Sequence, residues 1–210
     1  MSTRSTAGST PFLRRAALGV KRAFDVGSCL AVASVALPAF PLMALLVKQS
    51  SPGPLFFVQE RVGLRQRTFP MYKFRTMAQA PPGHDASLWS AKEEARITRV
   101  GRFFRDYGLD ELPQILNILA GDMSVIGPRP PLPSQLGRYT DEQRRMFDMA
   151  PGVLSLAAVK GRRSLSTEER IRYHVWYVDH WSLGLDLEIL WSCMFVVLGK
   201  KNANEISAGQ

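Results

Sequence analysis

Two adjacent carboxylates are the residues of this chain whose types and spacing most directly suggest chemistry. Asp110 and Glu111 lie in the stretch GLDELPQ, residues 108–114. A helix is expected to begin there, because Asp110 can cap it and Pro113 is tolerated in a first turn. A helix N-terminus favours an ionised carboxylate and also attracts phosphate. Neighbouring side chains on a helix diverge by about 100°, so one carboxylate could attack a substrate while the other holds a metal ion or a proton. The simpler alternative is an acidic first turn without a chemical role.

Basic residues that could bind phosphate are spread along the chain on both sides of these carboxylates. The chain has 27 Lys and Arg residues against 18 Asp and Glu residues, a formal net charge of +9, which indicates an anionic partner. That partner could be a nucleic acid, a phosphorylated lipid or a nucleotide-linked substrate, and charge alone does not choose among them. The candidate phosphate-binding residues are Lys73, Arg75, Arg105, Arg129 and Arg162.

The secondary-structure elements that must position these residues predict an α+β fold that is mainly helical. Residues 55–59 and 68–77 are predicted to form a small basic β-hairpin that turns near Gly63, with Lys73 and Arg75 on one face of the second strand. A loop over residues 78–95 follows. Helices are predicted over residues 97–107, 110–119, 140–149, 166–180 and 185–198, and a stiff, extended connection over residues 127–131.

An uncharged apolar stretch near the N-terminus is long enough to enter a bilayer. It runs for 22 residues from Val26 to Val47, enough to cross a hydrocarbon core of about 30 Å. Both flanks are rich in Lys and Arg, and such flanks favour the cytoplasmic side. We therefore favour a re-entrant helix-break-helix that enters and leaves by the same face, with the break at Pro38 and Pro41 and the Ser34 hydroxyl as a partner for the freed carbonyls. The alternative is a kinked helix that spans the membrane.

Composition narrows the class of protein further. An apolar fraction of 46% with four Trp and eleven Phe excludes a wholly disordered chain, and a single long uncharged run excludes a protein with many membrane spans. Cys29 and Cys193 lie in apolar stretches without metal-ligand spacing. Neither a disulfide framework nor a zinc site is predicted.

Ordered motifs between about residues 20 and 200 resemble those of the bacterial sugar transferases of the monotopic phosphoglycosyl transferase type, in their minimal form. The matching motifs are KRAFD (21–25), PGP (52–54) with Gln59, Arg61 and Gly63, YKFRTM (72–77), LDELPQ (109–114), Asn117, GDMS (121–124), GPRP (127–130), Pro151-Gly152, Gly161-Arg162, Tyr177 and Asp186.

The resemblance implies a reaction and a role for the candidate residues. A sugar-1-phosphate would pass from a UDP-sugar to a polyprenol phosphate such as undecaprenyl phosphate, with UMP released. Asp110 would be the nucleophile that forms a phosphosugar-aspartyl intermediate. Glu111 would position a metal ion or the incoming phosphate, and Mg²⁺ held at Asp110 and Glu111 would neutralise the diphosphate. Lys73, Arg75, Arg105, Arg129 and Arg162 would bind phosphate or nucleotide.

The resemblance also implies a location and a division of the chain. The enzyme would lie in the cytoplasmic leaflet of the bacterial inner membrane, with interfacial amphipathic helices on anionic phospholipid, and downstream glycosyltransferases are possible partners. A flexible basic leader is expected over residues 1–19, a re-entrant hairpin with Pro38 as its break over 20–48, a cytosolic catalytic domain over 49–200 and a tail over 201–210.

Two departures from the family pattern leave alternatives open. Leu37 stands where the family commonly has Ser before the break proline, and residues 153–158 lack the usual Thr, Gly and Gln after Pro151-Gly152. The second departure bears on the choice of donor. It also leaves open a catalytically silent membrane scaffold or regulator. A basic nucleic-acid binder is disfavoured because no nucleic-acid motif is present. The sugar, the glycan pathway and the oligomeric state are not determined by the sequence.

Overall fold

The structure is a computed structural model that describes residues 11–79, 94–161 and 165–193. Arg162, most of the predicted loop over 78–95 and the predicted tail over 201–210 lie outside the described residues. As predicted, the chain is mainly helical with a small antiparallel sheet. The helices are α1 (Pro11–Ser50), α2 (Arg99–Tyr107), α3 (Ile115–Ala120), α4 (Leu156–Lys160), α5 (Thr167–Asp179) and α6 (183–193). The strands are β1 (Phe56–Val62), β2 (Thr68–Phe74), β3 (Ser124–Ile126) and β4 (Gly152–Leu154).

The first helix is longer and more continuous than the sequence predicts. It begins at Pro11, within the segment predicted to be a flexible leader, and runs for 40 residues through Pro38 and Pro41 without interruption. A proline inside a helix removes one hydrogen bond and bends the helix more often than it ends it. The predicted break into two helices is therefore replaced by a single helix. Ser34 donates its hydroxyl to the Ala31 carbonyl at 2.8 Å, and not to a carbonyl freed by either proline.

The middle of α1 is an exposed apolar surface. Leu30, Val35 and Leu37 are 58%, 79% and 70% exposed, although leucine and valine are usually buried in proteins that fold in water. Within the described residues, one helix is long and apolar enough to cross a membrane, and it is this one.

Both ends of α1 pack on the rest of the protein. Near the start, Lys21 forms an ion pair with Asp186 in α6, with 2.7 Å between Nζ and Oδ2, and Asp25 accepts hydrogen bonds from the Ser124 hydroxyl and the Val125 amide at 2.9 and 3.0 Å. Near its end, Met43 and Val47 are buried against aromatic rings of β2 and α2. The exposed apolar stretch thus lies between two regions that are fixed to the same domain.

The predicted hairpin is confirmed. Strands β1 and β2 pair antiparallel with Gln59 opposite Met71, and Leu64–Gln66 form the turn. The second strand ends at Phe74 and not at Met77, because α2 crosses the chain there. Gly101 makes this crossing possible, since a Cβ at this position would lie only 1.9 Å from the Thr76 carbonyl oxygen.

The short elements after the hairpin differ from the sequence prediction. Residues 109–114 form a 3₁₀ helix before α3 begins at Ile115, where one α-helix over 110–119 is predicted. Residues 143–148 also form a 3₁₀ helix. The small parallel sheet of β3 and β4, with Ser124 opposite Gly152, is not predicted, because strands of three residues are too short to show a periodic pattern.

Candidate active site

The two carboxylates lie on a short helix that starts at a sharp turn. Gly108 ends α2 with φ of 70° and directly precedes the 3₁₀ helix Leu109–Gln114. This left-handed conformation costs little for glycine and much for other residues. Asp110 and Glu111 are therefore placed in the first turn after a reversal of the chain, beside strand β2.

Asn117 fixes this helical segment to β2. Its side-chain oxygen accepts a hydrogen bond from the Tyr72 amide at 3.1 Å, and its side-chain nitrogen donates to the Pro70 carbonyl at 2.7 Å. The residue is only 1% exposed. The side-chain amide thus occupies the edge of β2 as a neighbouring strand would, and it sets the distance between the carboxylates and Lys73.

Glu111 is held by two cations. The Lys73 ammonium lies 2.6 Å from its Oε1, and a terminal nitrogen of Arg129 lies 3.8 Å from the same atom. Burial alone would raise the pKa of Glu111, but the charges of Lys73 and Arg129 outweigh burial and the net effect is a lowered pKa. Glu111 is therefore ionised at neutral pH.

Asp110 has a different environment. Burial raises its pKa and the charge of Glu111 adds to this effect, while the charges of Lys73 and Arg105 oppose it. Among the described residues, no Lys, Arg or His nitrogen lies within 4.0 Å of its carboxylate. Within the part of the chain that the structure describes, the site thus contains one carboxylate that is paired and one that is half-buried and has no direct ion pair.

A shallow cleft, open to solvent, lies beside Glu111. Its walls come from β1, β2, the 3₁₀ helix and the proline-rich segment after β3. The lining residues are Arg61, Met71, Lys73, Glu111, Gln114, Arg129, Pro130 and Gly152. Three cations therefore surround one carboxylate in the cleft, a composition that suits an anionic ligand.

The structure brings some of the predicted phosphate-binding residues to this site and not others. Lys73 and Arg129 contact Glu111, and Arg105 lies close enough to Asp110 to lower its pKa while its Nε donates to the Thr76 hydroxyl at 2.8 Å. Arg75 is instead buried beside the end of α1. There it donates to the carbonyls of Val47 at 3.3 Å and Ser51 at 2.5 Å and to that of Pro54, and so it stabilises the helix end.

The cleft also contains a cation that was not among the predicted binding residues. Arg61 lies on β1, and the hairpin register places Phe57, Gln59 and Arg61 opposite Lys73, Met71 and Phe69. Directly opposite residues in an antiparallel pair lie on the same face of the sheet. Lys73 and Arg61 therefore lie on the same face of the hairpin, the face that lines the cleft. The pairing register is needed to see this.

Asp110 and Glu111 have the chemistry of ligands for a divalent metal ion whose remaining ligands would come from a substrate. Among the described residues, no three His, Cys, Asp or Glu side chains gather at one point, so no all-protein cage exists there. Mg²⁺ is commonly held by one or two carboxylates together with substrate phosphates. Asp110 and Glu111 supply such a pair of hard oxygen ligands.

The sequence is similar to those of known proteins along most of its length. The family model described as "Bacterial sugar transferase" matches residues 16–200. An uncharacterized sugar transferase of Bacillus subtilis is 37% identical over 192 residues, which is 90% of this chain and 94% of the relative. The UDP-glucose:undecaprenyl-phosphate glucose-1-phosphate transferase of Xanthomonas campestris pv. campestris is 42% identical over 176 residues, 78% of this chain and 36% of the relative.

A third relative is the undecaprenyl-phosphate galactose phosphotransferase of Salmonella typhimurium. It is 35% identical over 207 residues, which is 90% of this chain and 43% of the relative. The chain thus spans less than half the length of the Salmonella and Xanthomonas proteins and nearly all of the Bacillus protein. Because the family model covers both carboxylates, both strands of the hairpin and the long apolar helix, the chain belongs to the bacterial sugar transferase family.

Proposed function

We propose that this protein is a phosphoglycosyl transferase that moves a sugar-1-phosphate from a UDP-sugar to undecaprenyl phosphate and releases UMP. The observation that carries the proposal is the pair of carboxylates in unlike environments. Glu111 is neutralised by Lys73 and Arg129, whereas Asp110 is half-buried and has no ion pair within 4.0 Å among the described residues. The names of the Xanthomonas and Salmonella relatives support the two substrates.

In the first half-reaction, a carboxylate oxygen of Asp110 attacks the phosphorus that carries the sugar. An oxygen–phosphorus bond forms, the bond from that phosphorus to the bridging oxygen of the diphosphate breaks, and UMP leaves with the electron pair. In the second half-reaction, a phosphate oxygen of the lipid attacks the same phosphorus and the Asp110 carboxylate is released. The protein is then regenerated without any change in oxidation state.

Burial prepares Asp110 for this role. A carboxylate that is partly removed from water is less well solvated, and so it is a better nucleophile once ionised. Lys73 and Arg105 oppose the effect of burial on its pKa and so favour the ionised form. They also supply positive charge where the transferred phosphoryl group accumulates negative charge.

Glu111, Lys73 and Arg129 form the wall of the site on the other side of the nucleophile. Lys73 bonds Glu111 at 2.6 Å and so remains within reach of both carboxylates. We propose that this wall positions the diphosphate for in-line attack. Mg²⁺ bound at Asp110 and Glu111 would supply charge neutralisation for the departing UMP.

We further propose that α1 is re-entrant and that the catalytic domain faces the cytoplasm. Lys21 and Asp25 contact the domain before the apolar stretch, and Met43 and Val47 contact it afterwards. A helix that crossed the bilayer would leave one of these ends on the opposite side of the membrane from the domain. Apolar side chains between them are exposed, as expected for a segment buried in lipid. This arrangement brings the site to the depth of the lipid phosphate.

The activity is tested by UMP release from a panel of UDP-sugars in the presence of undecaprenyl phosphate. We expect the wild-type protein to release UMP with at least one donor and Asp110→Asn to release none. Asp106→Asn, which removes an exposed carboxylate from α2, is the matched control and should behave as wild type. Absence of UMP with every donor, in an assay in which a characterised relative is active, would favour the silent scaffold.

The topology is tested by labelling engineered cysteines with a membrane-impermeant reagent. A cysteine within residues 14–18, ahead of the apolar stretch, and one at Arg67, in the hairpin turn, should be labelled from the same side of the membrane. Labelling from opposite sides would replace the re-entrant helix with a spanning one.

A further inference from the structure

Arg61 is held in the cleft wall without a carboxylate partner. One of its terminal nitrogens donates to the Pro130 carbonyl at 3.1 Å, and the other donates to the side-chain oxygen of Gln59 at 2.6 Å. Its Nε is buried and has no hydrogen-bond partner. Among the described residues, no acidic oxygen lies within 4.0 Å of it. The guanidinium is thus oriented by neutral acceptors, and its charge is not neutralised by a salt bridge.

A second guanidinium lies close to the first. Burial and the charge of Arg129 lower the pKa of Arg61 to about 10, and Glu111 only partly opposes them. Two like charges beside one another raise the free energy of the protein, and Glu111 already bonds Lys73 at 2.6 Å. An anion bound between the two arginines would remove this repulsion. The pair is therefore built for a ligand that brings negative charge.

Arg61 also fixes the backbone next to Arg129. The segment from Pro128 to Pro131 contains three prolines, which have no amide hydrogen to donate. Its proline carbonyls each accept a hydrogen bond from another part of the protein. Pro128 accepts from the Gly152 amide at 2.9 Å, Pro130 from Arg61 at 3.1 Å and Pro131 from the Val62 amide at 3.0 Å. The only side-chain donor of these three is Arg61, and it bonds the residue that follows Arg129.

The cleft brings Arg61 and Arg129 together with the residues around Glu111. Arg61, Lys73, Glu111 and Arg129 all line it, whereas Asp110, the residue before Glu111, is not among its lining residues. The Lys73 ammonium lies 2.6 Å from the Glu111 carboxylate, and a terminal nitrogen of Arg129 lies 3.8 Å from it. A diphosphate with one phosphorus at Asp110 would therefore extend its second phosphate into the cleft, toward Arg129 and Arg61.

We propose that Arg61 is a positioning residue for the phosphate that leaves with the nucleotide: it holds Arg129 in place and adds its own charge to the same end of the cleft. The inference rests on the proposed function, because it assigns one phosphate of the proposed donor. Its ligand class is a nucleoside monophosphate or the corresponding half of a nucleoside diphosphate. Arg61 acts mainly through Arg129, because two of its nitrogens are already committed to Pro130 and Gln59.

The test compares the binding of UMP and of uridine to the full-length protein in lipid nanodiscs by titration calorimetry. Arg61→Gln should weaken UMP binding about tenfold, the effect of one charge-assisted hydrogen bond, and should leave uridine binding unchanged. It should also raise KM for the donor more than it lowers kcat. Arg67→Gln is the matched control, because Arg67 is an exposed arginine of the same hairpin outside the cleft, and it should bind UMP as wild type does.

A double variant tests whether Arg61 acts through Arg129. We expect Arg61→Gln combined with Arg129→Gln to weaken UMP binding no more than about twofold beyond Arg129→Gln alone, because residues that act as a unit are not additive. If Arg61→Gln does not fold, Arg61→Lys carries the comparison, since it keeps the charge and gives up one of the two acceptors. It should weaken UMP binding about threefold.

The outcomes separate this inference from the proposed function. Wild-type protein that binds UMP while both Arg61 variants bind it equally well overturns the role of Arg61 alone. Equal weakening of UMP and uridine binding also overturns it, because that pattern indicates a general loss of structure. Wild-type protein that neither binds UMP nor releases it from any UDP-sugar overturns both.

Discussion

Two clusters of charged residues in this protein, one buried and one beside a solvent-open cleft, differ in how completely their charges are compensated. Asp186 accepts hydrogen bonds from Lys21 at 2.7 Å, from the Tyr177 hydroxyl at 2.6 Å and from the Trp181 indole at 3.1 Å. The Lys21 ammonium also donates to the Ile126 carbonyl at 2.9 Å. Every charge in this first cluster has a partner, and together they fix the start of α1 to α5, α6 and β3.

The second cluster is the cleft, where the charges do not cancel in the same way. Glu111 is paired, but Asp110 has no ion pair within 4.0 Å among the described residues, and Arg61 has neutral acceptors only. A cluster whose charges are all paired stabilises a fold. A cluster with unpaired charges lowers the free energy of unfolding, and a bound substrate that pairs with those charges can restore it. The difference fits the proposed function, in which the first cluster stabilises the fold and the second binds substrate and reacts with it.

Substitution of Asp110 is expected to show the largest difference between the two clusters, because it should lower activity without lowering stability. Asp110→Asn should lower the rate of UMP release by a factor of at least about 10³, because the attacking group is removed. The same change should leave thermal stability unchanged or slightly raised, since burial disfavours the ionised carboxylate. Activity assays and thermal unfolding of the same preparation check both parts. Residual activity above about one tenth of wild type would move the nucleophile to another residue.

Asp186→Asn should give the converse result. It leaves the Lys21 charge buried without its partner, and such losses cost about 3–5 kcal/mol of stability. Denaturant titration in detergent micelles measures the change. The fraction that remains folded should bind UMP with wild-type affinity. Weakened UMP binding by fully folded Asp186→Asn protein would contradict the separation of the two clusters.

Tyr177→Phe gives a smaller test of the first cluster. It removes the hydroxyl that donates to Asp186 at 2.6 Å, and a hydrogen bond to a charged group contributes about 1.5–3 kcal/mol. We expect a loss of stability in that range without any change in KM. A change in KM with stability intact would place Tyr177 in the active site.

The pH dependence should show the smallest and most specific difference. Because the pKa of Asp110 is raised in the folded protein, stability falls as pH rises through its unfolded and then its folded pKa, while activity rises over the same range. The dependence of stability on pH has the opposite sign for Glu111, because its pKa is lowered in the folded protein. Its contribution to stability is lost as pH falls through its folded pKa. Lys73→Met removes a charge that lowers the Asp110 pKa, so the acid limb of kcat/KM should move to higher pH. A limb that moves to lower pH would contradict the assignment.

Much of the fold follows from the sequence, and the exceptions have physical causes. The hairpin and α5 were predicted because their patterns are long and periodic, and α5 also carries a capping box of Ser166 and Glu169. The parallel sheet of β3 and β4 was not, because it joins two strands of three residues that are far apart in the chain. The continuity of α1 through Pro38 was not predicted either, since local rules treat an internal proline as a break.

The sequence predicted the kinds of residue in the candidate site better than it predicted which individual residues belong to it. Lys73, Glu111 and Arg129 line the cleft, because motifs on β2, the 3₁₀ helix and the proline-rich segment converge there. Asp110 adjoins Glu111 in the chain, and Arg105 lies close enough to Asp110 to lower its pKa. Arg75 is adjacent to them in sequence, but its side chain is used by the end of α1, and that contact depends on tertiary packing.

Arg61 was quoted as a residue of a family motif but not as a candidate phosphate-binding residue, because the pairing register of the hairpin places it beside Lys73 in the cleft.

The most direct test of the account is mass spectrometry of intact protein after exposure to a UDP-sugar without lipid acceptor. We expect an adduct with the mass of one sugar phosphate, mapped by peptide fragmentation to Asp110, lost on addition of undecaprenyl phosphate and absent from Asp110→Asn. Product that accumulates while no adduct forms at Asp110, or an adduct that persists in Asp110→Asn, would contradict the central claim.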